Sequence, residues 1–291
     1  MARGSRRNGP SRAGASWSPA SRPSGAWCAH CPPIRTGSSC RAGDAGSTRM
    51  LKSERATSDD DGVSLASRYT LKGDPYSSHS VILDWLGEGR GRRLLDVGAA
   101  DGLLARLLTE RGWKVTGIEA DPVAAKAGAA HCERMIVADL DAGVPRLDGE
   151  FDAIVCADVL EHLRDPASAL AALRRSLAAS GELVVSIPNV AHVWVRLSLL
   201  AGRFDYAERG ILDRTHLRFF TRRTLAALVA EAGLRVARMT STPVPLYQVV
   251  PPRWHGRALA AVHALSAGSA RLLPRLLAYQ FVVGATRNAE R

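Results

Sequence analysis

Lysine is almost missing from this chain: 4 lysines stand against 35 arginines among 291 residues. That skew suggests a GC-rich coding sequence more than an electrostatic design. Aromatic residues are scarce at 5%, although an apolar content of 46% is sufficient for a core. There is no run of about 18 apolar residues, which excludes a transmembrane helix. The N-terminus has arginine but no apolar stretch behind it, which argues against a secretory signal. The five cysteines, at positions 28, 31, 40, 132 and 156, are odd in number and scattered. A disulfide framework is not expected, and a reducing, cytoplasmic setting fits better.

Charge is present but unevenly placed. Of the net +11, residues 1–49 contribute +7 through eight arginines and Asp44, while residues 50–291 carry only +4. A basic excess can mean nucleic acid or a membrane surface. Here most of it belongs to a segment rich in Gly, Ser, Pro, Ala and Arg, which cannot bury enough apolar area to offset its ordering entropy. Residues 1–50 are therefore expected to be a disordered tail, with Met50 as an alternative start, and residues 51–291 the folded domain. DNA is not expected as a partner. Cys28, His30, Cys31 and Cys40 lack the second well-spaced pair of a zinc site.

From residue 75 onward a regular alternation sets in. PYSSHSVILDWLGEG places Val81, Ile82, Trp85 and Leu86 on one helical face. Strands are expected at Leu94–Val97, Lys114–Glu119, Met135–Asp139, Ala153–Cys156 and Leu183–Ile187, separated by helices near Leu103–Arg111, Pro122–Cys132 and from Pro166 to about Ala179. Continuous apolar strands bounded by turns fit a parallel sheet covered on both faces. Repeated strand–helix units predict a doubly wound α/β domain. Beyond Pro188, a helical, apolar Val190–Leu200 and a polar connection to Thr221 precede a helix to Ala232. A strand over Leu234–Thr240 and a proline-rich loop at 243–253 come next. A helical insertion over Arg257–Leu277, interrupted at Pro274, leads to a last strand at Ala278–Thr286. Segments 190–221 and 243–277 read as cap or insertion elements.

In an open parallel sheet, ligands bind beyond the carboxyl ends of the strands. Asp96, Glu119, Asp139 and Asp158 all fall at such ends, and four acids at one sheet edge would repel one another without a ligand. Gly98 and Gly102 bracket a turn where backbone must come close to that ligand. The turn lacks the dinucleotide pattern, since Ala100 stands where a glycine is needed. An acid two residues before Gly98 would disfavour pyrophosphate and favour an ammonium group. A nicotinamide oxidoreductase is thereby disfavoured.

LLDVGAADG, GIEAD, VADLD and FDAIVCADVLEHLRDP, in that order, resemble the motifs of class I S-adenosylmethionine-dependent methyltransferases. The resemblance covers roughly Val81 to the C-terminus. It implies a Rossmann-like, mostly parallel seven-stranded sheet with helices on both faces, QFVVGAT supplying an antiparallel seventh strand. It implies S-adenosyl-L-methionine as cofactor. Asp96, Gly98, Ala100 and Gly102 would surround the methionine part, and Glu119 with Ala120 the ribose. Asp139 and Leu140 would meet the adenine, and Ala157 and Asp158 would lie under the cofactor. LEHLRDP and SIPN are similar to the ubiquinone- and methionine-biosynthesis-related branch of small-molecule enzymes. IPNVAHVWVRLSLLAGRFDY…LDRTHLRFFT resembles bacterial methyltransferases associated with glycosyltransferases, implying a small-molecule, sugar or lipid-linked acceptor.

Methyl transfer to oxygen needs in-line positioning and removal of a proton. His162 is the first candidate base, followed by His192 and His216. Asp158, Glu161 and His162, read as one helical face, resemble the metal-holding cluster of small-RNA 2′-O-methyltransferases, with His192 as the later histidine. The same Glu-His pair occurs in metal-free small-molecule relatives, so no metal is expected. RNA is not expected either, because no RNA-binding module is visible. A non-catalytic cofactor-binding partner protein is the other alternative. The stretch 256–278 is apolar on one side with Arg257, Arg271 and Arg275, a pattern suited to peripheral membrane contact, to a cap over the acceptor or to a dimer contact. Deleting residues 1–49 is expected to leave the melting temperature and cofactor affinity unchanged; a large loss in either, by scanning calorimetry or titration, would show that the tail is structural.

Overall fold

The computed structural model describes residues 74–288. Expectations about the tail and its cysteines lie outside the described residues. The elements are α1 (Ser78–Leu86), β1 (Arg93–Val97), α2 (Leu103–Glu110), β2 (Lys114–Glu119), α3 (Pro122–Gly128), β3 (Arg134–Val137), β4 (Phe151–Ala157), α4 (Pro166–Arg174) and β5 (Leu177–Pro188). They are followed by α5 (Val193–Leu200), α6 (Arg222–Glu231), β6 (Leu234–Thr242), α7 (Leu246–Val249), α8 (Arg257–Leu272), α9 (Pro274–Leu277) and β7 (Gln280–Arg287).

Seven strands form one sheet in the order β3-β2-β1-β4-β5-β7-β6. The pairings among β1 to β5 are parallel, whereas β7 runs antiparallel to both β5 and β6. This is a Rossmann-like sheet with the expected antiparallel seventh strand. Its order reverses between β1 and β4, and there the connections depart in opposite directions and leave a crevice at the carboxyl ends.

The apolar strand residues divide by the two-residue period of extended chain. Leu95, Val97, Ile154 and Cys156 join one buried cluster with Leu170 and Leu173 of α4 and Leu225 and Val229 of α6. Leu94, Ala153 and Val155 join another with Ile82 of α1 and Leu104 and Leu108 of α2. Local chemistry sets the helix starts. Asp121 and Asp165 accept from the backbone amides of Val123 and Ser168, each just ahead of a proline. Thr221 and Thr224 exchange bonds at the start of α6.

Boundaries differ from the sequence reading at several elements, most clearly after α4. The helix from Pro166 stops at Arg174 rather than near Ala179, and Leu177 opens β5 instead. Leu177 pairs with Phe151 of β4, and both are fully buried, so sheet pairing outweighs the alanines' helix preference. The proline-rich loop contains the short turn of α7. Among the described residues no helix is long and apolar enough to cross a membrane.

Leu170 is fully buried between α4 and the sheet. Leu170→Ala should cost about 2–5 kcal/mol, read as a lower denaturant midpoint with unchanged slope; a loss under ~1 kcal/mol would contradict this packing.

Candidate active site

The crevice at the order reversal is a cavity of about 350 Å³ lined by Asp96, Gly98, Ala100, Glu119, Ala120, Asp139, Leu140, Ala157 and Asp158, among others. Of the ten residues singled out for cofactor contact, only Gly102 is absent from the lining. It takes φ +81° at the start of α2, where a Cβ would come within 2.8 Å of the Gly128 backbone. Gly98, at φ +70°, sits where a Cβ would strike Val159 at 2.5 Å. Ala100 adopts φ +47°, a left-handed conformation costly for a residue with a side chain. Its amide donates to Glu119 Oε2 at 2.8 Å, and this bond holds the turn. The other Glu119 oxygen accepts from the amides of Ala120 and Asp121 at 2.8 and 2.9 Å.

Asp96 is 2% exposed, and its Oδ2 has no hydrogen-bond partner. Burial, reinforced by the charge of Glu119, pushes its carboxyl up to about 7. Asp139 accepts from the Asp141 amide at 2.9 Å. Asp158 turns at φ +55°, and its Oδ1 accepts from Ser186 Oγ at 2.8 Å and Gln280 Nε2 at 3.0 Å.

A second cavity of about 370 Å³ adjoins the first. The two share His79, Asp158 and His162. Glu161, Arg209, Asp213, His216, Gln248, Tyr279 and Gln280 add a polar wall to the second. The three histidine candidates separate here. His162 lies at the junction, and His216 is buried with its ring 4.8 Å from that of His162. His192 lines neither cavity; it is the N-cap of α5, its Nδ1 accepting from the Trp194 amide at 3.2 Å. The expected helical face over Asp158–His162 is also corrected. Asp158 is a left-handed turn residue, and only Leu160–His162 form a single 3-10 turn. That turn buries Glu161 and leaves His162 half-exposed.

Sequence reasoning missed His79. It sits in the first turn of α1, 79 residues before Asp158, and belongs to no strand-end pattern. Desolvation holds its imidazole below the ordinary value, opposed by the charge of Asp158. Gln280 and Ser186, which fix Asp158, were equally invisible, since both lie on strands that read as ordinary sheet.

A family model described as a methyltransferase domain matches residues 76–238, more than half of the chain. The chain belongs to the class I S-adenosylmethionine-dependent methyltransferases. Similar curated proteins include the ubiquinone biosynthesis O-methyltransferase of Thiobacillus denitrificans, 31% identical over 55% of this chain and 72% of that protein. The enzyme of the same name from Alkalilimnicola ehrlichii is 39% identical over 37% of this chain, a match spanning about half (46%) of its length. Among solved structures, magnesium protoporphyrin IX methyltransferase from Synechocystis PCC 6803 with bound SAH shares the fold at a TM-score of 0.50 and 16% identity, covering 72% and 82% of the two chains.

The family's cofactor fits these residues on chemical grounds. S-adenosylmethionine offers hydroxyl and ammonium donors, and this cavity is lined by six carboxylates, Asp96, Asp101, Glu119, Asp139, Asp141 and Asp158. One of their oxygens, Asp96 Oδ2, is buried without a donor, which an ammonium or a bound water would supply.

The raised carboxyl of Asp96 gives this methyltransferase a pH signature. Its ordinary value of 3.8 rises to about 7 on folding, so ionisation penalises the folded state, increasingly between pH 4 and 7 and fully above. In the cofactor-free protein Asp96→Asn should therefore raise the melting temperature at pH 8, by up to roughly 4 kcal/mol in stability terms. The gain should shrink toward pH 4; an offset independent of pH would contradict the buried, ionising carboxyl.

Proposed function

We propose that this methyltransferase transfers the methyl group of S-adenosylmethionine to a hydroxyl oxygen of a small, sugar or lipid-linked acceptor. The observation that carries this reading is the meeting of two cavities at His79, Asp158 and His162. The first has the acids suited to the donor, and the second is polar and of a size for part of an acceptor. Bound in the first cavity, the cofactor supplies an electrophilic sulfonium methyl.

The protein's own work is then positioning and proton handling. Asp96 receives the ammonium end, Gly98 and Ala100 bring backbone against it, and Glu119 takes the ribose hydroxyls on lone pairs left by its three amide bonds. Asp139 and Leu140 frame the adenine. Asp158, held by Ser186 and Gln280, marks the boundary between donor and acceptor. His79 is the proton acceptor best supported by position, because it touches both cavities and burial keeps it neutral. A positive charge formed on it would face Asp158. The two separate apolar clusters support a doubly wound layering with helices on both faces.

A lipid-linked acceptor is favoured by the apolar surface after β5. Trp194, Leu197 and Leu200 of α5 are 70%, 56% and 84% exposed, and Val262, Leu265 and Leu272 of α8 are 57%, 75% and 82% exposed. The outward residues of α8 recur at spacings of three and seven, opposite its buried His263, Ala267 and Ala270. Arg196 of α5 donates at 3.0 Å to the carbonyl of Arg275 in α9, the short helix that follows α8. Residues 189–204 and 243–279 contain no acidic side chain, a combination suited to an anionic membrane surface.

Glu119→Ala should weaken S-adenosylhomocysteine binding by about 10–100-fold in calorimetry. His79→Gln should lower kcat by about 10²-fold or more toward a phenolic or lipid-linked hydroxyl while changing that affinity far less. Unaltered affinity in the first variant would overturn the cofactor assignment, and unaltered turnover in the second would remove His79 from proton transfer.

A further inference from the structure

Below the second cavity the chain gathers donor groups that the methyl-transfer reading leaves without a purpose. Glu161 is 1% exposed, and neither of its carboxylate oxygens has a hydrogen-bond partner. Protonation alone would not resolve this, because a neutral carboxyl would still lack a group to receive its proton. The surrounding backbone is firmly set. The Glu161 carbonyl accepts from the amides of Leu217 and Arg218 at 2.8 and 3.0 Å, and this draws the loop carrying His216 against it.

The two neighbouring imidazoles are oriented in the same sense. His162 Nδ1 lies 3.2 Å from the Thr215 carbonyl, and His216 Nδ1 lies 3.1 Å from the Ile211 carbonyl. A carbonyl oxygen only accepts, so Nδ1 carries the proton in both rings. Each Nε2 is then a free lone pair. A backbone carbonyl accepting from the far nitrogen is the usual support of a metal-bound histidine. One ligand atom from each of Glu161, His162 and His216 lies within 4.8 Å of the others. A cation with bonds of about 2.0–2.2 Å holds opposite donors ~4.4 Å apart at most, so closure by a few tenths of an ångström completes the set. Asp158 and Asp213 add negative charge facing Glu161.

We propose that Glu161, His162 and His216 form a divalent-cation site opening on the acceptor cavity. Two imidazoles and one carboxylate suit zinc, manganese or iron(II), and three protein ligands leave positions for water or an acceptor oxygen. This reverses the sequence-based expectation of a metal-free site and sets His216 where His192 was the candidate; His192 gives its Nδ1 to a backbone amide instead. Resting on the methyl-transfer reading, the site's use is to hold an acceptor hydroxyl and stabilise its deprotonated oxygen, the proton passing to His79. It favours acceptors with a phenolic hydroxyl or two adjacent hydroxyls, which can chelate.

The test is titration of the full chain, stripped with a chelator, with MnCl2 and ZnCl2. It is run in a Cys28→Ser, Cys31→Ser, Cys40→Ser background so that tail thiols do not compete for zinc. One equivalent should bind, raising the melting temperature. Glu161→Gln and His216→Ala should each weaken binding at least tenfold and abolish the thermal shift, while His255→Ala should not. Unfolding curves of the near-isosteric Glu161→Gln in chelator verify that the variant is folded. No stoichiometric binding, or binding equal in wild type and both ligand variants, would overturn the site. S-adenosylhomocysteine titrated in parallel separates the two claims: retained cofactor affinity without cation binding rejects the cation site alone, and loss of cofactor affinity in the wild type rejects the methyl-transfer reading beneath it.

Discussion

The Glu119 carboxylate is the point on which the cofactor crevice depends. It accepts the Ala100 amide with one oxygen and the Ala120 and Asp121 amides with the other. Those bonds tie the end of β2 to the turn after β1, and they offset the cost of a left-handed alanine where glycine would be at ease. Without them the turn between Gly98 and Gly102 would have no reason to keep its backbone open toward a ligand. The same carboxylate opposes ionisation of Asp96, so the group that orders the turn also prepares a site for positive charge.

Polar strain recurs at the ends of β1 and β4. Asp96 and Glu161 are both buried with carboxylate oxygens that no donor meets, and in each case burial is the main cause of a raised carboxyl value. Folding conceded stability at these two places while filling the rest of the sheet with apolar side chains. Two such concessions on either side of the same shared wall, His79–Asp158–His162, argue that the two cavities serve one reaction.

Much of this was legible in the chain. A strand that runs apolar into an acid and then a glycine turn has few other readings, so β1, β2 and their ligand edge followed from residue order and the periods of strand and helix. Capping aspartates before prolines marked α3 and α4 for local reasons. Where the reading slipped, the cause was non-local. The helix expected to run toward Ala179 lost its last residues to pairing with β4, which no local preference encodes. Asp158, Glu161 and His162 were treated as neighbours on a helix, whereas a left-handed residue and a single 3-10 turn send them in different directions.

By itself, then, the sequence determined the α/β class, the parallel core and the acids at the donor site, because each depends on contacts within a few residues or on a motif held together by one turn; the antiparallel last strand was implied by the family resemblance alone. Only the tertiary structure decided which histidines line the two cavities. His79 reaches the crevice because α1 packs on the sheet, and His216 arrives because a loop 55 residues after Glu161 bonds back to its carbonyl. His192 lines neither cavity and caps α5 instead. Such encounters are set by how separate elements pack, and spacing along the chain carries no record of them.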